Sequence, residues 1–493
     1  MYFLYSVYLI RIVRTLLYHL AWWEIKEYRL DRMMVHLRET TQGRRWILSP
    51  GVFVKWALLI VYSVFPRVFS PSGWTVALSI VYAVEALRYV FELKRGWKMP
   101  GLRIRVLAIY VVALSMVGWV IFNPKNSLIF SLLFIDALLG IGTGLLILFS
   151  NTLFSLHKSV TMYRARKKIA RYPNLTVIGV TGSYGKTTTK ELIAQILSHQ
   201  FTVVKTVASQ NADIGVAERI VSQDLEGVDF FICEMAAYHP GEITSTCSLF
   251  GDKIIGAVVT GIDEQHQSLF GSMDTTRDSK YELIDAVKPG GFAIFNKHSE
   301  KIHPMPAWAK EQGFRVVMCD THVVTPFRHK PLPSYLEQDL ALAITAAQLA
   351  GMQKKDIAKA VSSLVLPSKT MDEARDGNVT LINDTFNANP DAVYAALSYI
   401  RSFKGKKVLV LQPLIELGSY ADDVHENMGK MAASICDEIV LTNENFNAAF
   451  FRGVFRSNHP DVAVRIGKAP SRISSGVVLF EGKEAEKYIH SLK

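Results

Sequence analysis

Long apolar runs fill the front third of this chain, and short alternating ones fill the rest. Apolar stretches lie at about 2–22, 51–69, 74–93, 104–122 and 128–154. Most approach the ~20 residues that a bilayer-spanning helix needs. The first is interrupted by Arg11, Arg14 and His19 and also fits an amphipathic helix lying in an interface. From about residue 175 the rhythm changes. Runs such as L-T-V-I-G-V, D-F-F-I-C-E-M, I-I-G-A-V-V-T and F-A-I-F-N alternate with helical stretches such as T-T-T-K-E-L-I-A-Q-I-L. This alternation predicts an α/β fold on a mostly parallel sheet. A second α/β unit begins near Pro367, with strands V-T-L-I-N-D, K-V-L-V-L and E-I-V-L-T. The polar, Pro-rich 320–335 reads as a surface excursion.

Charge sharpens the picture of the front third. The 493 residues carry a net charge of +11. Basic residues cluster after the first, third and fifth apolar stretches, while the loops between hold little beyond Arg67 and Lys125. That bias predicts a multi-pass protein of the inner (cytoplasmic) membrane, with the basic loops and everything after Phe154 in the cytoplasm. Five crossings with the N-terminus outside satisfy it, as do four with the first helix on the inner surface. The first stretch has no small-residue cleavage site and is read as retained. The positive charge thus points to a membrane surface and away from nucleic acid. The expected organisation is a transmembrane helical region 1–154, a basic juxtamembrane segment 155–174, and two α/β domains, 175–366 and 367–493. Within the apolar stretches, Glu85 and Arg88 are spaced to pair on one helix face, and Asp136 is a candidate for lipid-substrate contact. Cys233, Cys247, Cys319 and Cys436 form no C-x-x-C pair and read as buried, reduced thiols.

The chemistry starts at Gly179, with G-V-T-G-S-Y-G-K-T-T-T-K-E. Its first glycine stands one place too early for the common G-x-x-x-x-G-K-[ST] pattern. A strand at Thr176–Val180 leads through glycines into a helix starting near Lys186. Backbone N–H groups and the helix dipole at such a junction bind phosphate. Lys186 would reach the β- and γ-phosphates, and Thr187 would place its hydroxyl on Mg²⁺. Gly182 and Gly185 let the backbone approach the nucleotide, and Thr181, Ser183 and Thr188 complete the loop. Glu234 ends the strand D-F-F-I-C, where a magnesium carboxylate belongs.

The variant G-x-T-G-x-x-G-K-T-T resembles the Mur ligase superfamily of ATP-dependent amide-forming enzymes. Further stretches resemble its MurF type, which adds D-alanyl-D-alanine. They are N-A-D-I-G-V at 211–216, C-E-M-A-A-Y-H-P-G-E-I at 233–243, Q-H-Q-S-L-F-G-S at 265–272, Ser279-Lys280 with Glu282, N-D-T-F-N-A-N-P at 383–390 and L-I-E-L-G at 414–418. The resemblance implies a P-loop central domain and a Rossmann-like C-terminal domain. It makes Lys186, Glu234, His266 and Lys280 catalytic and gives Mg²⁺ to Thr187, Glu234 and His266. Lys280 matches a lysine that is carbamylated in many Mur ligases. Asn296 matches an asparagine near the adenine, and Lys369, Asp384 and Asn387 match groups that close over the nucleotide. His239 and Glu242 are lesser candidates for placing substrate. The chain departs from the pattern at Gln265, at Ser368-Lys369, at Phe386, in L-E-Q-D near 337–340, and in L-Q-P-L at 411–414. Asn296 also lacks the aspartate of the usual N-x-D.

The resemblance also implies what is replaced. MurF-type ligases begin with a soluble domain that holds the uridine nucleotide of their substrate, and here the apolar region stands in its place. The expectation is a membrane-anchored ligase that joins an amino-acid or dipeptide amine to a peptide-bearing cell-envelope precursor, lipid-linked or held by the membrane region. Two alternatives share the loop: an amino-acid-polymer synthetase of the polyglutamate kind, and a membrane scaffold that binds ATP without ligating.

Overall fold

The structure is a computed structural model that describes residues 2–26, 28–39, 50–65, 70–93, 128–207, 210–262, 272–327, 332–386, 388–415, 417 and 420–492. It divides into two units, Met1–His157 and Lys158–Lys493. The described part of the first unit is helical: α1 (Tyr2–Ile25), α2 (Leu30–Glu39), α3 (Pro50–Val64), α4 (Pro71–Leu93) and the front of α5 (Leu128–Ile169). Along α1, Leu4, Tyr8, Ile12, Leu16, Leu20 and Trp23 recur every three or four residues and are buried. They share a core with Trp74, Leu78 and Tyr82 of α4 and with Leu132, Leu133 and Leu139 of α5. Charges lie inside this bundle. Arg11 pairs with both Glu85 and Asp136. Lys55 Nζ lies 3.4 Å from Glu85 and 3.8 Å from Asp136. Tyr82 donates a hydrogen bond to Asp136 at 3.3 Å. Glu85 therefore takes Arg11 and Lys55 as partners; the Arg88 side chain lies outside the described residues. Asp136, expected to meet lipid, is buried against Arg11 and Tyr82.

The membrane expectation is overturned. Among the described residues, no helix is long and apolar enough to cross a membrane. This contradicts the transmembrane region of the expected fold class and the multi-pass membrane location. α3 has only 15 residues. α1 contains Arg11 and Arg14, α4 contains Glu85 and Arg88, and α5 contains Asp136. A charged residue at a span's centre costs ~2.5–3.5 kcal/mol on insertion scales. The hydropathy pattern measured the outer apolar positions, such as the exposed Phe53, Ile60, Ile80 and Leu87. It missed that the charges pair with one another across helices. The stretch 104–122 lies outside the described residues.

The second unit contains two six-stranded sheets. The first has β1 (Thr176–Thr181), β2 (Val203–Lys205), β3 (Phe230–Glu234), β4 (Ile254–Val259), β5 (Phe292–Asn296) and β6 (Arg315–Cys319), in the order β2-β3-β1-β4-β5-β6. All its pairings are parallel. A parallel sheet is covered on both faces, so its strands read as continuous apolar runs; Val177, Ile178 and Val180 are all fully buried. The covering helices that matter for the site are α6 (Lys186–Leu197), α7 (Asp213–Ser222), α8 (Glu242–Cys247), α9 (Met273–Asp285), α10 (Met305–Glu311) and α11 (Ser334–Leu349).

The second sheet has β7 (Asp372–Asp376), β8 (Val379–Asp384), β9 (Lys406–Leu411), β10 (Glu438–Leu441), β11 (Ala463–Ile466) and β12 (Gly476–Glu481), in the order β11-β10-β9-β12-β8-β7. Only β7 runs antiparallel. Its sequence, D-E-A-R-D, is exposed throughout, and a charged edge of this kind discourages pairing with another chain. Leu336 of α11 belongs to the same buried cluster as Ile382, Leu411 and Leu479, which joins the second sheet to the first. The four cysteines are buried and unpaired by disulfides.

Candidate active site at the phosphate loop

β1 ends at Thr181, and the chain turns at once through Gly182 (φ 149°) and Gly185 (φ 73°) into α6. These dihedrals are open to glycine and strained for other residues. Lys186 opens the helix, and its ammonium donates to the carbonyls of Gly182 and Ser183, each at 2.9 Å. It thus hangs over the loop at the helix N-terminus, where an anion is favoured. Burial lowers its pKa, opposed by the charge of Glu234. Ser183 N–H donates to Gly261 O at 2.8 Å, and Thr260 donates to Tyr184 O, so the loop is tied to the end of β4. Thr181 and Thr188 are buried beside it.

Glu234 ends β3 and pairs in register with Val180 of β1. Its carboxylate is held on both oxygens. Thr187 Oγ1 donates to Oε2 at 2.9 Å, and Asn211 Nδ2 donates to Oε1 at 2.9 Å. Lys190 Nζ stands 3.3 Å from Oε2. A hydroxyl and a carboxylate oxygen meeting at one point are hard donors of the kind Mg²⁺ takes, with its other positions left to water and phosphate. Among the described residues no group of three or more His, Cys, Asp or Glu forms a metal cluster. Thr187 and Glu234 are the two oxygen donors that the described residues offer such an ion. His266 lies outside the described residues.

Lys280 is buried in α9. Its pKa is lowered far below the usual range, first by burial and then by the positive charge of Lys186. Asn296 ends β5. Its amide donates to Thr260 O and to Gln338 Oε1, each at 2.9 Å, and its Oδ1 accepts from His298 N–H at 3.0 Å. Gln338 belongs to the divergent L-E-Q-D, so that departure supplies a partner to Asn296. Glu242 accepts from the N–H groups of Tyr238 and His239, at 2.6 and 3.3 Å, and so caps its own turn.

The remaining candidates lie in the second sheet. Lys369 has φ 63°, and its ammonium pairs with Glu486 at 2.7 Å. Asp384 ends β8, buried; it accepts from Tyr335 OH at 2.9 Å and from Met371 N–H at 3.3 Å. Burial pushes its pKa up to about 6. Asn387 lies outside the described residues. The structure thus gathers Thr181 to Thr188, Glu234 and Lys280 at one loop, places Asn296 behind it, and connects Asp384 through Tyr335.

Sequence reasoning missed Lys190, Asn211 as a ligand of Glu234, and Asp339. Asp339 lies under the loop, where Thr189 Oγ1 donates to its Oδ1 at 3.1 Å. A Cβ added at Gly185 would overlap that oxygen. Gly185→Ala is therefore expected to weaken nucleotide binding and lower the thermal midpoint together. Burial pushes the Asp339 pKa up to about 8. The folded protein then holds a proton that the unfolded chain releases above ~4, so stability falls as pH rises from ~4 to about 8. Asp339→Asn removes this dependence. Its advantage in thermal midpoint over the parent should widen from pH 5 to pH 8, and an unchanged gap would refute the assignment.

Two family profiles match this unit: the Mur ligase middle domain over residues 180–332, and the Mur ligase, glutamate ligase domain over 369–470. The chain carries the paired domains of a Mur ligase. It is 27% identical over 305 residues to UDP-N-acetylmuramoyl-tripeptide--D-alanyl-D-alanine ligase of Bacillus subtilis (strain 168), covering 58% of this chain and 66% of that one. It is 28% identical to the enzyme of the same name from Escherichia coli (strain K12), covering 54% and 64%. The match thus spans just under two thirds of each relative's length. The fold is similar to MurF from Acinetobacter baumannii, with TM-score 0.58 and 20% identity over 68% of this chain and 80% of that one. It is also similar to MurF ligase from Thermotoga maritima in complex with ADP, with TM-score 0.57 and 20% identity over 68% and 83%. At this identity the structural matches speak for the fold alone. Both Mur ligase profiles fall within the second unit.

Proposed function

We propose that this Mur ligase is an ATP-dependent acid–amino-acid ligase that adds D-alanyl-D-alanine to a muramoyl-tripeptide precursor of peptidoglycan. The observation that carries it is the meeting of Thr187 and Glu234 beside Lys186 at the mouth of the phosphate loop. A carboxylate oxygen of the acceptor attacks the γ-phosphorus, and ADP leaves. The amine then attacks the acyl carbon, phosphate leaves, and the amine's extra proton passes to solvent. Charge builds on the transferring phosphoryl group, so fixed cations and oriented N–H groups are the main tools. Lys186 and the N-terminus of α6 supply these. Thr187 and Glu234 would hold Mg²⁺, which neutralises phosphate charge. The printed names of the B. subtilis and E. coli relatives support the choice of amine and acceptor. Those names give no support to a lipid-linked acceptor.

The test is purified full-length protein with ATP, Mg²⁺ and UDP-muramoyl-tripeptide, given D-alanyl-D-alanine or L-glutamate, with products weighed by mass spectrometry. A mass gain matching the dipeptide, with ADP released, is the expected outcome. A glutamate adduct alone would select the polymer-synthetase alternative, and no adduct in protein that binds ATP would select the scaffold.

Lys280 belongs to the same reading. A buried amine held neutral is the form that adds CO₂, giving a carbamate anion and a proton. The carbamate would place a negative charge where the bare lysine has none. Ligation is expected to fall several-fold in CO₂-depleted buffer and to recover with bicarbonate. Lys280→Arg, which cannot be carbamylated, should lose both activity and bicarbonate response.

A further inference from the structure

Lys190 lies one helical turn beyond Lys186, and nothing in the ligation chemistry above uses it. It is fully buried on α6, with Nζ 3.3 Å from Glu234 Oε2 and 3.4 Å from Glu191 Oε1. Glu191 is held in turn by Lys205 of β2. The charges form a row, Lys205–Glu191–Lys190–Glu234, whose inner end is the carboxylate expected to meet the metal. The oxygen that Lys190 approaches is the one that Thr187 also addresses, and Asn211 occupies the other. A lysine on the surface would swing away from an arriving cation. This one is enclosed, and its neighbour Glu191 fixes it from behind.

We propose that Lys190 is a resident counter-cation that keeps Glu234 closed to free divalent ions, so that the metal enters only as its nucleotide complex. The inference rests on Glu234 being the metal carboxylate. A fixed positive charge beside the ligand oxygen repels a free divalent ion, and the low dielectric of a buried site strengthens that repulsion. A nucleoside triphosphate brings its own negative charge and reverses the balance. Thr187 then turns its hydroxyl proton away from Glu234 and offers a lone pair. The consequence is an order of events: bare Mg²⁺ does not occupy the site, and the loop stays free for the nucleotide–metal complex. Lys190 is a positioning residue, since it acts through Glu234.

The test measures Mn²⁺ binding by electron paramagnetic resonance on the full chain, with and without a non-hydrolysable ATP analogue. It compares the parent, Lys190→Met, Lys190→Gln and Lys190→Arg. Without nucleotide, the parent and Lys190→Arg should bind Mn²⁺ weakly, and Lys190→Met should bind it ~10-fold tighter or more. With the analogue, the difference should shrink. A merely structural lysine would lower the thermal midpoint of Lys190→Met and leave Mn²⁺ affinity unchanged or weaker, which would overturn the proposal. Should Lys190→Met fail to fold, Lys190→Gln, which keeps a hydrogen bond to Glu234, carries the same comparison. A parent that binds no Mn²⁺ even with the analogue would overturn it too, because Glu234 would then hold no metal. Neither acceptor nor amine enters this measurement, so failure of the ligase assay leaves its outcome distinct.

Discussion

Lys186→Ala is expected to cut ATP-dependent ligation by ~10³-fold or more while leaving the protein folded. The reaction moves a phosphoryl group whose charge is heaviest in the transition state, and a cation placed there is worth most at that moment. Lys186 is the residue that opens α6, and its ammonium reaches the loop carbonyls of Gly182 and Ser183. Those contacts hold it over the space that the phosphates would fill. Burial already disfavours its charge, so its loss relieves a desolvation cost and the thermal midpoint should move little. Lys186→Arg keeps the charge but not the compact ammonium on a flexible stem, and should recover only part of the rate. The measurement is product formation by mass spectrometry alongside a thermal melt. A variant that melts like the parent and ligates like it would remove Lys186 from the chemistry.

The second large effect comes from Glu234. Glu234→Gln removes the metal carboxylate and should abolish ligation, but it should also destabilise the fold. Glu234 is 1% exposed and Lys190 0%. Removing the acid strands a buried ammonium, and breaking a buried pair costs ~3 kcal/mol or more. Glu191 still touches Lys190 at 3.4 Å, which puts the expected loss at the lower end of that range. The double variant Glu234→Gln, Lys190→Met removes both charges. It should regain most of the stability and none of the activity. Denaturant melts of the parent, both single variants and the double variant check this as a cycle. Independent, additive losses would show that the two side chains do not act as a pair.

On the proposed function, stability and catalysis would be joined at one carboxylate. The structure shows the partners that Glu234 keeps, and the sequence shows only half of them. Glu234 could be named because it ends an apolar strand, and Lys186 and Thr187 because their spacing to two glycines leaves few alternatives. Lys190 follows three threonines in a helical run and resembles any solvated lysine. Its burial depends on β3 lying beside β1, a pairing between residues far apart in the chain.

Local pattern by itself determined the α/β character of the rear two thirds and the strand–glycine–helix junction that runs from β1 into Lys186. These follow from periodicity and from the dihedral freedom of glycine, which act over a few residues. Hydropathy along the front third determined less. It detected apolar faces but could not tell that Arg11, Lys55, Glu85 and Asp136 meet across four helices. Only tertiary structure decided that Asp339 lies beneath Gly185, that Gln338 bonds to Asn296, and that Lys190 pairs with Glu234. Each is a contact between elements. The physical reason is the same throughout: a side chain's charge state and partners depend on what the fold removes from water around it, and that is not written at any single position.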